Sequence, residues 1–287
     1  MKRMWIRLTM ALMAVGLWVY QAQAGNLRQY GAIYGTYLNY DNSKIKDDGY
    51  GVTAYGSIGD GQHHDVELGL SQLHLNYKSG YSDLDQTDFT LAYTNTSMVH
   101  PNVSIRAGAH YITTDDDLSD NGWAIFADMT YFKTYDWNGG LEVTYSTYDN
   151  VRYFDLWQFS PHAGRYFMGR RLYLEARGYY INLRNHEDIA LPLENYYSGE
   201  VSGSYFMGPW TFKVSGWAGQ QMFAVKNKGF VVYNLTEKYK GGATGEINYR
   251  HRNILCGLDL SWNTYDEVET TRTVNQTVLT AFVGFNF

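Results

Sequence analysis

The last nine residues, LTAFVGFNF (279–287), alternate between apolar and small or polar side chains, apart from Phe282 among the latter. Leu279, Val283, Phe285 and Phe287 fall at alternate positions of one series, so they share one face of a β-strand. A soluble domain rarely ends on an apolar residue inside such a pattern. We therefore expect this segment to pair on both of its edges, as the closing strand of a barrel.

The segment resembles the C-terminal signature of bacterial outer-membrane β-barrels, a terminal Phe with apolar residues at every second position before it. In that family the assembly machinery recognises this strand. The resemblance therefore implies that Phe285 and Phe287 act as an assembly signal. It also implies a location in the bacterial outer membrane, in contact with its lipid and lipopolysaccharide.

Residues 1–24 are predicted to be a secretory signal peptide, which leaves 25–287 as the outer-membrane β-barrel. Lys2, Arg3 and Arg7 precede an apolar run at 8–20, and small residues stand at the cleavage positions of Ala22-Gln-Ala24. A membrane-spanning helix needs about 20 apolar residues. The run is shorter, so we expect a cleaved export signal and not a membrane anchor.

The composition favours a membrane barrel over a soluble domain or a nucleic-acid-binding protein. Loss of the three signal-peptide cations would change the formal charge from −6 to −9, which disfavours a polybasic binder. Cys256 is the single cysteine of the sequence, so it cannot form an intramolecular disulfide. The 27 Tyr and 8 Trp suit aromatic girdles at two membrane interfaces.

Short alternating runs separated by turn signals predict an all-β, up-and-down antiparallel transmembrane barrel of 14 strands, with 12 as the alternative. Compact connections alternate with longer, more charged ones, as short periplasmic turns and longer outer loops do. The predicted strands are 28–40, 49–58, 64–77, 86–96, 102–113, 122–133, 140–148, 152–166, 171–183, 195–206, 210–225, 231–250, 253–264 and 273–287.

The charged side chains of each strand are assigned to the lumen, because Arg or Lys at the bilayer midplane costs about 2–4 kcal/mol. No connection suggests a plug, so we expect a water-filled lumen. In the third strand a β-bulge near Ser71 and Gln72 would return Leu73 and Leu75 to the lipid. The predicted lumen-lining residues are Asp65, Glu67, His74, Asp88, Arg106, His110, Asp128, Glu142, Gln158, Glu175, Arg177, Glu200, Lys213, Lys238, Lys240, Glu246, Asp259 and Gln276.

One connection is basic and unusually long. Residues 217–233 exceed the roughly 9–11 residues that a strand needs to cross the membrane, so this hairpin should project outward or fold over the mouth. Our interpretation is a gate, held through Lys226 and Lys228 by attraction to acidic loops at 115–117 and 266–269. A solvated hairpin without a gating role is the open alternative.

No catalytic residue, metal ligand or cofactor site is predicted. Ser160 and His162 lie two residues apart on one strand and so face the same way. A hydroxyl and an imidazole that line a polar lumen explain this pair without catalysis, and no orienting third group is evident.

In layout the chain resembles the monomeric fourteen-stranded outer-membrane porins, and the strings YDNV (148–151) and LWQ (156–158) resemble YaiO-type outer-membrane barrels. The first resemblance implies a monomeric channel for passive diffusion of small hydrophilic solutes or ions. The alternatives are a non-conducting barrel that serves a polysaccharide-export or secretion system, and a lipid-modifying barrel enzyme. Nine acids against five fixed bases in the predicted lining indicate mild cation selectivity.

Overall fold

The computed structural model describes residues 27–287 except positions 190, 192, 269 and 271. The predicted signal peptide lies outside the described residues. Within the described part of the chain, no helix is long and apolar enough to cross a membrane.

In the described part of the chain, fourteen antiparallel strands close into a barrel, as the preferred strand count predicts. Two short strands, β12 and β13, form a separate hairpin between β11 and β14, which pair with each other in the barrel wall. The strands are β1 Arg28–Asp41, β2 Lys46–Gly59, β3 His64–Tyr77, β4 Leu84–Thr96, β5 Val103–Thr114, β6 Trp123–Lys133, β7 Trp137–Asp149, β8 Tyr153–Phe167, β9 Leu172–Arg184, β10 Asn195–Met207, β11 Trp210–Gln221, β12 Val225–Lys226, β13 Val231–Val232, β14 Glu237–His251, β15 Ile254–Glu267 and β16 Arg272–Asn286.

The last strand closes the barrel against the first. β16 pairs with β1 from Tyr30↔Asn286 to Asp41↔Asn275, and the Phe287 amide donates a hydrogen bond of 3.0 Å to the Gln29 carbonyl. Every backbone edge of the wall is thereby paired, which a strand in lipid requires. The expectation drawn from the terminal alternation is confirmed for the fold.

The connections fall into two sets at opposite ends of the barrel. The compact ones, at 60–63, 97–102, 134–136, 168–171, 208–209 and 252–253, lie at what we call the turn end, together with residue 27 and Phe287. The others, described at 42–45, 78–83, 115–122, 150–152, 185–189, 191, 193–194, 222–236, 268 and 270, begin and end at the loop end. The sequence prediction assigns the turn end to the periplasm and the loop end to the outside.

The outer surface of the wall is apolar in its middle and aromatic near both ends. Near the loop end Tyr111 and Trp123 pack with ring centroids 4.5 Å apart, and near the turn end Trp210 and Tyr249 pack at 4.6 Å. Such girdles mark the two interfaces of a transmembrane barrel. Exposed apolar side chains between them include Ile33, Leu68, Leu91, Ile125, Met129, Leu141, Val201, Val214, Leu258, Leu260, Leu279 and Val283.

The predicted bulge in the third strand is wrong. β3 pairs with β4 from His64 to Leu75 without a register shift, so its parity never changes. Leu73 and Leu75 therefore point into the barrel, where Leu75 is buried in a cluster with Leu38, Tyr40 and Tyr265. The apolar residues are stable there because the loop-end half of the lumen is packed with side chains instead of water.

Candidate functional site: an occluded lumen

Most of the predicted lumen-lining residues lie on the inner face of the wall. Residues directly opposite each other in neighbouring strands share a face. Gly69 lies against the Phe230 ring inside the barrel, so its face of the strand is the inner one. The cross-strand registers then identify the residues on the same face of each neighbouring strand. The residues on this inner face are Asp65, Glu67, Asp88, Arg106, His110, Asp128, Glu142, Gln158, Glu175, Arg177, Glu200, Lys213, Glu246, Asp259 and Gln276.

His74, Lys238 and Lys240 are not lumen residues. His74 has the opposite parity to Leu75 in an unshifted strand, and its Nδ1 lies 2.9 Å from Asp85 on the outer face near the loop end. In β14 the register shifts between Tyr239 and Gly241, which turns both lysines outward, while Tyr239 is buried inside. The bulge is the physical reason that simple alternation misplaces them.

The long connection folds into the barrel. We call residues 222–236, between β11 and β14, the inner hairpin. Val225 pairs with Val232, and Lys226 pairs with Val231. The expectation that it projects outward or covers the mouth is wrong, and so is the expectation of a lumen without a plug. The physical reason is the apolar sequence of its first arm. Met222, Phe223, Ala224 and Val225 are at most 1 % exposed inside the barrel, whereas a hairpin that projected into water would expose all four side chains.

Apolar packing holds the first arm of the inner hairpin against the wall. The Phe223 ring lies 4.9 Å from the ring of Phe154 and 5.4 Å from that of Tyr148, measured between centroids. Leu156 and Ile181, from β8 and β9, belong to the same buried cluster. The loop-end half of the lumen on this side is therefore a packed core.

A wall glutamine pairs with the hairpin backbone as another strand would. The Gln158 amide nitrogen donates to the Val225 carbonyl at 2.7 Å, and its Oε1 accepts from the Val225 amide at 2.9 Å. Near the base of the hairpin, the Asn234 amide donates to Gln86 at 2.8 Å and to the Ser119 hydroxyl at 3.0 Å. These contacts satisfy polar groups that would otherwise be buried without partners.

The hairpin tip, residues 227–230, reaches the middle of the wall. Arg106, four residues into β5, donates to the carbonyl of Lys228 and also binds Glu67, with Nε 2.9 Å from Oε2. Its guanidinium stacks between Phe126 of the wall and Phe230 of the tip, at 5.1 and 5.6 Å from the ring centroids.

Two glycines make this fit possible. A Cβ on Gly69 would come within 2.8 Å of the Phe230 ring, and Gly229, at φ +90, would meet the Phe126 ring at 2.1 Å. The wall glycine leaves room for a hairpin aromatic ring, and the hairpin glycine leaves room for a wall ring. The tip is therefore shaped to fit this part of the wall.

Lys226 also attaches to the wall. Its Nζ lies 3.0 Å from the Glu200 carboxylate on β10, and both side chains are largely buried. The predicted attachment to acidic loops is wrong: Asp266 instead binds Lys240, at 2.7 Å, and Lys238 on the outer face. The Lys228 side chain is exposed at the tip, and it is the backbone of this residue that binds Arg106.

A belt of charge surrounds the tip on the inner wall. Arg106, Asp128 and Glu142 stand opposite one another in three successive strands. Arg177 lies 3.8 Å from Glu142 and 3.6 Å from Glu175. We call Glu67, Arg106, Asp128, Glu142, Glu175, Arg177 and Glu200 the charged belt. Its acids outnumber its bases, and Lys226 adds a cation from the hairpin.

The lumen is wetter towards the turn end. Lys213 lies 3.8 Å from Glu246, and its side chain is 43 % exposed although it points inward. Asp259 stands opposite Glu246 in the register. A cavity of about 290 Å³ opens at this end, lined in part by Arg28, Tyr30 and Asp65. The lumen is therefore open to solvent at the turn end.

The side chains of Ser160 and His162, the pair singled out in the sequence, contact other groups instead of each other, and the Asp128 carboxylate lies 3.7 Å from His162 Nδ1. The Ser160 hydroxyl accepts from Gln158 at 3.1 Å, while His162 contacts the Ser160 carbonyl and the Thr130 hydroxyl. Among the described residues, no group of three or more His, Cys, Asp or Glu is arranged to hold a metal ion.

The structure of the chain is similar to those of several solved outer-membrane barrels. They include the CymD monoaromatic hydrocarbon channel, with a TM-score of 0.59 and 10 % identity over 90 % of this chain and 88 % of that one. The Pseudomonas putida toluene transporter TodX gives 0.56 and 10 %, over 93 % and 90 %. A Pseudomonas aeruginosa FadL homologue gives 0.51 and 11 %, over 90 % of both chains.

At the level of sequence, no protein family and no curated protein matches the chain. The likeness to YaiO-type barrels therefore stays a prediction. Structural similarity at about a tenth identity concerns the fold and not the substrate. The chain has the fold of the bacterial outer-membrane β-barrels.

Proposed function

We propose that the protein is a monomeric outer-membrane channel for small hydrophilic solutes or ions, and that the inner hairpin is its gate. The apolar middle of the outer surface and the two aromatic girdles support a position in a bilayer. The predicted signal peptide and terminal strand support export and recognition by the assembly machinery. The structural neighbours include channels, which supports transport as the general role.

The observation that carries the gate is the polar wall beneath the inner hairpin. Gln158 and Arg106 bind hairpin backbone, and Glu200 binds Lys226. With the hairpin withdrawn, these side chains would line an aqueous path, as the walls of wide barrels do. With it in place, the packed clusters close the loop-end half of the lumen.

The neighbours named for hydrocarbons raise the question of the solute. An apolar solute would gain little from a belt of carboxylates and guanidinium groups, because their desolvation costs free energy. The belt favours a polar or charged solute, and its excess of acids favours a cation.

The second candidate is a non-conducting barrel that serves an export or secretion complex. The buried side chains of the loop-end half favour it, because Phe223 and its neighbours are as fully buried as the residues of a structural core. The two candidates differ in what happens when the hairpin is removed.

Swelling of proteoliposomes in sugars of graded size tests the proposal. A variant with residues 222–236 replaced by a Gly-Asn-Gly turn should admit small sugars much faster than the wild type, since β11 and β14 are already neighbours. A variant with residues 79–82 shortened is the matched control and should behave as wild type. A folded hairpin-shortened barrel that stays impermeable would support the non-conducting barrel.

A further inference from the structure

Lys226 of the inner hairpin occupies a cage that belongs entirely to the wall. Its ammonium nitrogen lies 3.0 Å from Glu200, 5.0 Å from the Trp217 ring centroid and 5.5 Å from that of Tyr179. A carboxylate with two aromatic faces is the chemistry that proteins use to bind ammonium groups, through charge, hydrogen bonding and cation–π attraction.

The cage is fixed by the barrel and does not depend on the hairpin. Tyr179, Glu200 and Trp217 come from the neighbouring strands β9, β10 and β11. The Tyr179 hydroxyl donates to the Glu200 carboxylate at 3.1 Å, and the Trp217 indole donates to Asn263 at 3.4 Å. Withdrawal of the hairpin would remove the Lys226 ammonium group and leave the three wall side chains in the same arrangement.

The basic side chains nearest to the cage are paired with other carboxylates, so Glu200 is available to bind an incoming cation. Arg177 stands directly opposite Glu200, but its guanidinium is directed to Glu142 and Glu175. Lys213 is paired with Glu246. With Lys226 absent, Glu200 would be a partly buried carboxylate without its cationic partner, an unfavourable state that an ammonium ion relieves.

We propose that Tyr179, Glu200 and Trp217 form a binding site for the primary ammonium group of a solute, and that Lys226 is its built-in competitor. A solute that carries such a group displaces Lys226 and favours withdrawal of the hairpin. This inference rests on the proposed channel for the role of the displaced hairpin, whereas the cage itself does not depend on conduction. A primary ammonium fits better than a quaternary one, since the 3.0 Å contact needs an N–H donor.

Calorimetry on the purified, folded protein in detergent tests the cage directly. In Lys226→Ala the side chain beyond Cβ is removed, and n-propylammonium has the length of the missing atoms. This variant should bind n-propylammonium at least tenfold more tightly than the wild type, in which a tethered lysine competes at an effective concentration of about millimolar or more. Lys228→Ala, the matched control on the same hairpin, should bind as the wild type does.

Three further arms define the chemistry of the site. Adding Glu200→Gln to Lys226→Ala should weaken n-propylammonium binding at least tenfold. 1-Propanol, of similar size but neutral, should not bind measurably, and tetramethylammonium should bind more weakly than the primary amine. Equal binding by Lys226→Ala and the wild type, or equal binding of 1-propanol, would overturn the cage, and tetramethylammonium bound as tightly would overturn the assignment to primary amines.

The wild type gives a second test that needs no substitution. Saturating n-butylammonium, the length of a whole lysine side chain, should speed amide hydrogen exchange within 222–236 at least threefold, and 1-butanol at the same concentration should not. Unchanged exchange would overturn displacement. If n-propylammonium binds but no variant gives an ion current, the channel is refuted and the cage stands. If a variant conducts but n-propylammonium does not bind, the cage is refuted and the channel stands.

Discussion

Phe223→Ala should release the inner hairpin without unfolding the barrel. The side chain is fully buried and packs on Phe154 and Tyr148 of the wall. Truncation of a buried Phe to Ala costs about 3–5 kcal/mol, through lost burial and the cavity left behind. Because about 1.4 kcal/mol is a factor of ten, the ratio of docked to withdrawn hairpin should fall by roughly two to three and a half orders of magnitude.

Amide hydrogen exchange in lipid nanodiscs measures that ratio locally. Amides of residues 222–236 should exchange about a hundredfold faster in Phe223→Ala, while those of β7 and β8 should keep their protection. Phe167→Ala is the matched control, since Phe167 lies on the outer surface at the turn end and is 41 % exposed. Less than a tenfold change in a folded Phe223→Ala barrel would refute apolar packing as the main attachment of the hairpin.

The remaining predictions concern the tip, the backbone anchor, assembly and ion selectivity. Arg106→Met should weaken docking of the tip by about 3 kcal/mol, the lower end of the range for a buried ion pair, because it leaves the partly buried Glu67 without its cation; faster amide exchange around Lys228 should report release of the tip. Gln158→Leu should cost about 1–3 kcal/mol of hairpin docking through two lost hydrogen bonds, measured in the same way. Deletion of Phe287 should abolish outer-membrane assembly, and fractionation with heat-modifiable gel mobility would check it; normal yield would contradict the assembly signal. The hairpin-shortened channel should prefer cations in reversal-potential measurements, and a clear anion preference would contradict control by the belt carboxylates.

The strand pattern was predictable because lipid imposes one strict requirement on every strand. One face must be apolar, so alternation gives both the strands and the side of residues such as Arg106 and Glu142. Prediction fails where a backbone irregularity interrupts the alternation of inward and outward side chains. Lys238 and Lys240 lie at a register shift in β14 that no residue type indicates, and they consequently face outward.

The inner hairpin was missed for a different reason. Alternation alone cannot distinguish an apolar side chain against lipid from one packed against a hairpin inside the lumen. Alternation therefore predicts that Leu73 and Leu75 face lipid, although they face a packed interior. A signal was present in the run from Met222 to Val225, which is too apolar for a solvated outer loop and lies beyond the end of β11.

The ammonium cage could not be read from the sequence at all. Tyr179, Glu200 and Trp217 are separated by about twenty residues from one to the next, and only the registers of three strands bring them together. The direction of Lys226 depends further on the hairpin folding inward. Such a site becomes visible only when the pairing of the strands is known.

Single-channel recording in a planar bilayer tests the gate most directly, with the wild type and the hairpin-shortened variant side by side at the same salt concentration. The wild type should remain shut for most of the record with brief openings, and the variant should give a steady, larger current. Equal conductance and equal open fraction in both proteins would contradict the inner hairpin as the gate.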